Sequence, residues 1–148
     1  MKRAAALQPL SRDHHKALFV AQILRRATVD TAPQACEAFL EFWQAHGRHH
    51  FRCEEEILLP AYAGHGDPDH PLVVNVLVDH LVIRQRAGQL ERDHLAKPEL
   101  LQQLGTLLSN HVRLEERELF PLIEETLPEA ELEVLAATLA QAEEEGRA

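Results

Sequence analysis

Apolar residues recur every three or four positions along most of the chain, which is the period of an amphipathic α-helix. No segment combines strict alternation of apolar and polar residues with β-branched enrichment, so the pattern does not require strands. Breaks rich in Gly, Pro, Asp and Thr divide the pattern into four long helices and a shorter fifth. The predicted helices are about 9–27, 33–62, 72–95, 98–126 and 129–145.

The breaks between these helices are short, and the clearest of them is the loop at 64–71. Because a short loop makes the next helix double back, the pattern predicts an all-α, antiparallel, up-down-up-down four-helix bundle. The bundle would span residues 9–126, and a short C-terminal fifth helix would span 128–146. No linker or low-complexity tract interrupts the chain, so residues 1–148 are interpreted as a single domain.

Composition and charge exclude several classes of protein. The formal net charge of -9 makes a nucleic acid or an anionic membrane an unfavourable partner. The two cysteines, Cys36 and Cys53, are too few for a disulfide scaffold and lie too far apart on one predicted helix to bridge. No apolar run reaches the length of a membrane span, and Gln8 and Pro9 cut short the apolar start of the chain. We therefore expect a cytoplasmic protein.

Four of the ten histidines belong to an internal repeat. The segments 50–60 and 111–121 both read His-x-x-x-Glu-Glu-x-x-Leu-[Leu/Phe]-Pro. Each follows a helix that carries an Asp-His pair, Asp13-His14 in the first half and Asp79-His80 in the second. The chain is therefore interpreted as a repeated pair of helices.

The spacing within this repeat places metal-ligand types of side chain on apolar helix faces. Residues four apart share a helix face, so His50 and Glu54 point the same way, as do His111 and Glu115. Unpaired carboxylates in a core are costly, so these groups either pair with one another or hold a cation. Four imidazoles and two carboxylates suit two metal ions, each with two histidines, bridged by the glutamates. The candidate ligands are His14, His50, Glu54, His80, His111 and Glu115.

The donor set contains nitrogen and oxygen but no thiolate. It favours iron or manganese over a structural zinc, and the sequence leaves manganese or zinc open as alternatives to two iron ions. Octahedral ions held by these six side chains would keep positions for a solvent bridge. They would also keep a position for dioxygen, peroxide or nitric oxide.

At these residues the sequence resembles the hemerythrin superfamily, in particular the bacterial hemerythrin-like HHE cation-binding domains. The resemblance covers nearly the whole chain, including both Asp-His helices and both His-x-x-x-Glu-Glu segments. It implies an up-down-up-down four-helix bundle with a non-haem, carboxylate-bridged di-iron centre. The six candidate ligands would hold that centre.

Two positions depart from the oxygen-carrying hemerythrins. Those proteins have a second histidine four residues after the one on the third helix, where this chain has Arg84. They also have an aspartate at a longer spacing on the fourth helix, where this chain has Glu115. The pattern is more similar to the four-histidine, two-glutamate variant in HHE proteins linked to iron-centre repair, iron or oxygen sensing, and peroxide handling.

Three functions are compatible with this sequence. The first is a di-iron protein whose open site binds, and in an enzymatic version turns over, dioxygen, peroxide or nitric oxide. The second is a non-enzymatic module for iron storage, sensing or delivery. The third is a structural bundle with an empty site, in which the fifth helix covers the bundle or mediates dimerisation. We expect a monomer or homodimer whose partner is a small diatomic or peroxide ligand.

The remaining histidines stand outside the expected ligand set. His15 competes with His14 as a ligand, although its stripe is more polar. His46 lies one turn before His50 and could be a pocket residue, an extra ligand or a proton donor. We expect His49 to pack as a polar residue. His65 and His70 are expected to be exposed, and His94 to end a helix; its match to the Glu-x-x-His motif of ferritin-like proteins is taken as chance.

Several acidic residues follow the ligands directly along the chain. Glu55, Glu116 and Glu118 are expected to form a solvated face, although Glu118 follows Glu115 closely enough to reach the rim of the site. Pro60 and Pro121, which both repeats share, are expected to end or bend their helices just past the ligands.

Overall fold

The computed structural model describes residues 3–93 and 97–147, and these residues are helical with no strand. The all-α prediction is confirmed for this part of the chain. A single 3₁₀ turn, Ala5–Leu7, comes before the first helix. The five helices are α1 Gln8–Arg25, α2 32–63, α3 Pro71–Asp93, α4 98–126 and α5 Glu129–Arg147.

Proline marks the start of four helices. Pro9, Pro33, Pro71 and Pro98 stand in the first turn of α1, α2, α3 and α4. The first N–H groups of a helix have no intrahelical acceptor, so proline loses no hydrogen bond there and its fixed φ is already helical. Before α2, the amides of Thr28 and Thr31 each donate to the other residue's hydroxyl oxygen, at 2.9 and 3.3 Å.

The internal prolines do not end their helices. Both helices continue, α2 to residue 63 and α4 to residue 126, so of the two expected alternatives, an end or a bend at Pro60 and Pro121, the end is wrong. A π-helical turn precedes each proline, at Glu54–Leu58 and Glu115–Leu119, with one residue between the turn and the proline. In these turns an amide bonds the carbonyl five residues back, and the proline, which has no N–H to place, follows.

The apolar side chains form two cores on either side of a buried polar layer. On α3 the order is Val76 in the second core, then His80 in the polar layer, then Ile83 in the first core. The first core contains Phe39 and Trp43, and the second contains Leu58, Tyr62, Phe120 and Ile123. The polar layer is therefore closed above and below by packed hydrocarbon.

Helix packing supplies the walls of these cores. Helix α1 lies along α4 and α2, while α3 packs against α4 and α2. Helix α5 packs Leu135 and Leu139 into the second core, so its apolar side covers the bundle. Cys36 and Cys53 are buried free thiols. Among the described residues, no helix is long and apolar enough to cross a membrane.

Gly105 sets the distance between α4 and α1. A Cβ atom at this position would lie 2.7 Å from the carbonyl oxygen of Ala21 and 2.8 Å from the Cβ of Leu24. We expect Gly105→Ala to destabilise the fold by about 1–2 kcal/mol, because overpacking outweighs the gain in helix propensity. Urea unfolding measures this change.

The matched control is Gly88→Ala on α3. The nearest atom there is Nη1 of Arg92, at 3.1 Å, which is the end of a flexible side chain. This variant should keep or slightly raise the free energy of unfolding. Equal stability of the two variants would contradict the close approach at Gly105.

Candidate metal centre

The six predicted ligands converge in the polar layer, and each is at most 6% exposed. They form two groups of four that share Glu54 and Glu115. One group adds His14 and His50, and the other adds His80 and His111. Within each group, one ligand atom from every residue lies within 4.8 Å of the others. The structure thus brings together all six residues that the repeat singles out.

The inner faces of the histidines are defined by their Nε2 atoms, which point toward the shared carboxylates. The distances are His14 to Glu115 Oε1 2.9 Å, His50 to Glu54 Oε2 3.2 Å, His80 to Glu54 Oε1 3.1 Å and His111 to Glu115 Oε1 3.5 Å. The Nε2 atoms of His80 and His111 are only 3.2 Å apart.

The outer faces of the same histidines are held by a second set of carboxylates. Each Nδ1 pairs with one oxygen: His14 with Glu116 at 2.8 Å, His50 with Asp13 at 3.0 Å, His80 with Glu55 at 2.6 Å and His111 with Asp79 at 3.1 Å. If Nδ1–H donates to these carboxylates, the neutral ring presents its Nε2 lone pair to the centre. This is the arrangement of histidines that bind metal ions.

These contacts follow the internal repeat. The aspartate of each Asp-His pair holds the histidine of the next helix within its own half: Asp13 holds His50, and Asp79 holds His111. The second glutamate of each Glu-Glu pair holds a histidine of the opposite half. Neither half therefore builds its histidine environment alone.

The expectation that Glu55 and Glu116 belong to a solvated acidic face is wrong. Both are half-buried and hold the rings of His80 and His14, whereas Glu118 is exposed as expected. The available signal was the repetition of the Glu-Glu pair in both halves. The periodicity of a single helix does not predict these contacts, because each of them joins two different helices.

Arg84 extends the contacts behind His80. Its guanidinium donates two hydrogen bonds to the carboxylate of Glu55, both at 2.7 Å. It also lies over the ring of Phe51, which stacks on the His80 imidazole at a centroid distance of 3.8 Å. The arginine at the position that distinguishes this chain from the oxygen carriers thus anchors a carboxylate that orients one candidate ligand.

A similar cluster surrounds His14 at the other end of the polar layer. Phe120 stacks on its ring, and Arg3 lies over Phe120. Arg3 also donates to the backbone carbonyl of Glu116 and to the carboxylate of Glu124, both at 2.7 Å. The segment before α1 is therefore tied to α4 beside the candidate site.

Four of the inner atoms of this cluster lack hydrogen-bond partners. Buried atoms without one include His50 Nε2, both carboxylate oxygens of Glu54 and Glu115 Oε2. The His50–Glu54 and His80–Glu54 atom pairs are close in distance but do not form hydrogen bonds. Leaving a buried polar group unsatisfied costs about 1–3 kcal/mol, and more for a charged group. A cation bound among these atoms would satisfy them, so the residues fit a metal site.

The electrostatics of the cluster favour a protonated His80 beside an ionised Glu54. Burial lowers the pKa of His80, but the adjacent carboxylates of Glu54 and Glu55 outweigh burial and raise that pKa to about 9. The pKa of Glu54 is held well below its ordinary value, because His50 and His80 outweigh the effect of burial. Burial and the neighbouring charge of Glu54 raise the pKa of Glu115. Protons on the histidines would therefore compete with a bound cation for the same atoms.

The structure separates the two histidines that compete on α1. His14 is buried in the cluster, whereas His15 is exposed and lies outside it. His46 is not part of either ligand group. It is half-buried on a third π-helical turn, Trp43–Gly47, with Nε2 3.5 Å from Lys16 Nζ.

A narrow pocket is lined by His46 and by part of the cluster. Besides Asp13 and Gly47, its walls include the apolar residues Ala17, Phe42, Phe51, Leu108 and Val112. The candidate ligands that line it are His14, His50, His111 and Glu115. Its free volume of ≈ 10 Å³ is close to the space that one water molecule needs.

The other histidines have structural surroundings. His49 packs against α5, with Nε2 3.0 Å from the carbonyl oxygen of Ala142, as expected of a polar packing residue. His65 is exposed, but His70 is half-buried and accepts a hydrogen bond from the Leu72 amide, so its expected exposure is wrong. His94 lies outside the described residues.

The fold and the site define an all-helical protein with a buried histidine–carboxylate cluster suited to cations. Residues 6–123 match the family model of the hemerythrin HHE cation binding domain, so the chain belongs to this family. Neither the curated proteins nor the solved structures compared with the chain include a match. The whole of α5 lies beyond the matched residues, although it packs on the second core.

The outer carboxylates provide a test of the site. We expect Glu55→Gln and Glu116→Gln each to weaken metal binding by about 10–100-fold, because the ring behind each would lose its orienting carboxylate. Titration of metal-free protein with Fe²⁺ or Mn²⁺ measures this change. Glu118→Gln is the matched control on the exposed face and should bind like the wild type. Equal affinity in all three variants would rule out an orienting role.

Proposed function

We propose that this protein is a single hemerythrin-like domain that binds two iron ions in a non-haem, carboxylate-bridged centre. Its open site would react with dioxygen, peroxide or nitric oxide in redox or oxidative-stress chemistry in the cytoplasm. The observation that carries this proposal is the set of buried carboxylate oxygens without partners, shared by two pairs of histidines. The helix packing supports the antiparallel, up-down-up-down bundle that such a centre requires.

In this proposal each half of the ligand set holds one ion. His14 and His50 would hold one, His80 and His111 the other, and Glu54 and Glu115 would bridge them. Two redox-active ions would supply Lewis acidity and electrons to a small bound molecule. The nitrogen and oxygen donors suit iron, and they leave manganese and zinc as competitors in a given preparation.

The chain's own residues would control what reaches this centre. The pocket walls are mostly apolar, and the space they leave admits a molecule of about the size of water or dioxygen. The pocket lining includes His14, His50 and His111, while the Arg84–Glu55 pair flanks His80. We assign proton transfer in the pocket to His46, which lines it beside Lys16.

Metal content tests the ligand assignment. Protein purified without oxygen should contain about two irons per chain, because two histidine pairs share the bridging carboxylates. Glu54→Gln should lose most of this metal, since it removes a negative charge from both ion positions. His65→Gln, which changes an exposed loop residue, is the control and should retain it. A stable wild-type protein that takes up no metal would refute the proposal.

Reactivity separates an enzyme from a carrier. Adding air or peroxide to the iron-loaded protein should produce a visible absorption band, and peroxide should disappear over many turnovers if the centre is catalytic. Stoichiometric loss of peroxide would instead indicate iron storage, sensing or delivery. His46→Leu should slow turnover while iron content stays unchanged, because His46 is outside both ligand groups.

A further inference from the structure

Helix α3 carries an apolar stripe on its outer surface. Val74, Leu77, Val78 and Leu81 are 46%, 43%, 53% and 68% exposed. Their spacing of three, four and seven residues places them on one helix face. The opposite face of α3 is buried through Val73, Val76 and Ile83, so this helix is apolar on both sides.

No described element covers this stripe in the single chain. The apolar side of α5 is already packed on the second core. The other large exposed apolar residues are scattered over other parts of the molecule: Phe19 on α1, Val29 in the following turn, Leu100 on α4 and Val134 on α5. Scattered residues of this kind are ordinary, whereas a continuous stripe marks an interaction surface.

The stripe is symmetric about its own midpoint. If the two-fold axis passes halfway between Leu77 and Val78, an antiparallel copy of α3 places Val74 opposite Leu81 and Leu77 opposite Val78. Each apolar side chain would then meet an apolar side chain of the second copy. This self-matching is what a two-fold interface between identical chains requires.

The charges at the two ends of α3 also favour the antiparallel arrangement. The loop before the helix carries exposed Asp67 and Asp69. At the other end, Arg86 and Arg92 outnumber Asp93, since the carboxylate of Glu91 is paired with Arg48 at 3.1 Å. An antiparallel pair would place the basic end of each helix beside the acidic loop of the other, and a parallel pair would not.

We propose that this face of α3 is the interface of a homodimer in which two copies of the helix pack antiparallel about the Leu77–Val78 midpoint. The occupant of the stripe is thus a second copy of the same chain. The inference does not depend on the metal, because the stripe faces away from the polar layer and none of its residues belongs to the ligand groups.

Sedimentation equilibrium of the full chain tests the interface. The wild type should approach twice its monomer mass of 16.7 kDa as its concentration rises to about 100 µM. Leu81→Glu should raise the dimer dissociation constant at least about tenfold, because it buries a charge at the interface. Phe19→Glu, which changes a 70% exposed residue on α1, is the matched control and should leave dimerisation unchanged.

Disulfide trapping tests the orientation of the helices. The double variant Val74→Cys/Leu81→Cys should form a covalent dimer on mild oxidation, because those positions face each other across the two-fold axis. Val74→Cys alone should not, since residue 74 would be far from its own copy. The native Cys36 and Cys53 are buried, so wild-type protein measures the background.

Three results would overturn the proposal. They are a monomer throughout the concentration range, a dimer that Leu81→Glu does not weaken, and efficient trapping by Val74→Cys alone. Iron content, measured on the same samples, reports separately on the metal proposal. Loss of the dimer with retained iron would therefore leave the metal centre intact.

Discussion

Two carboxylates with no exposed surface, Glu54 and Glu115, lie between two hydrocarbon cores, and the surrounding structure compensates their charge. With the four histidines neutral, the six carboxylates of the cluster face two arginines, Arg3 and Arg84. Nearby Glu124 and Lys16 add one charge of each sign. Four negative charges remain, which is the charge that two divalent cations cancel. Without cations, protons on the histidines must take over that role, as the raised pKa values of His14, His50 and His80 indicate.

The outer carboxylates make this compensation a property of the whole bundle. Asp13 and Asp79 connect helices within a half, whereas Glu55 and Glu116 connect one half to the other. A histidine ring held at Nδ1 has its Nε2 lone pair aimed before any ion arrives, which lowers the cost of ordering the site. The apolar cores above and below then exclude water, so each of these polar contacts acts in a medium of lower dielectric.

The sequence is sufficient to predict the helices and the residues that converge in the polar layer, because both depend on periodicity within one helix. His50 and Glu54 share an apolar face at a spacing that the chain itself displays. The role of Glu55 is different, since its contact with His80 depends on how two helices pack. Leu77 shows the same limit: the period groups it with Val73 and Val76, yet it is 43% exposed on the outer side of α3. The π-helical turns are not predicted either, because in the sequence Pro60 and Pro121 indicate only that a helix ends or bends.

Arg84 on α3 closes one side of the site. Arg84 ties Glu55 with two hydrogen bonds and lies over Phe51, so ring stacking and charge together close the His80 end of the cluster. The pocket beside His46 instead reaches His14, His50, His111 and Glu115, so it touches both ligand groups, and its lining includes neither His80 nor Glu54. A histidine at position 84 would add a nitrogen donor, whereas arginine cannot lose its proton to bind a metal and can only hold an anion. The residue at position 84 therefore anchors the carboxylate that orients His80 and adds no donor to the centre.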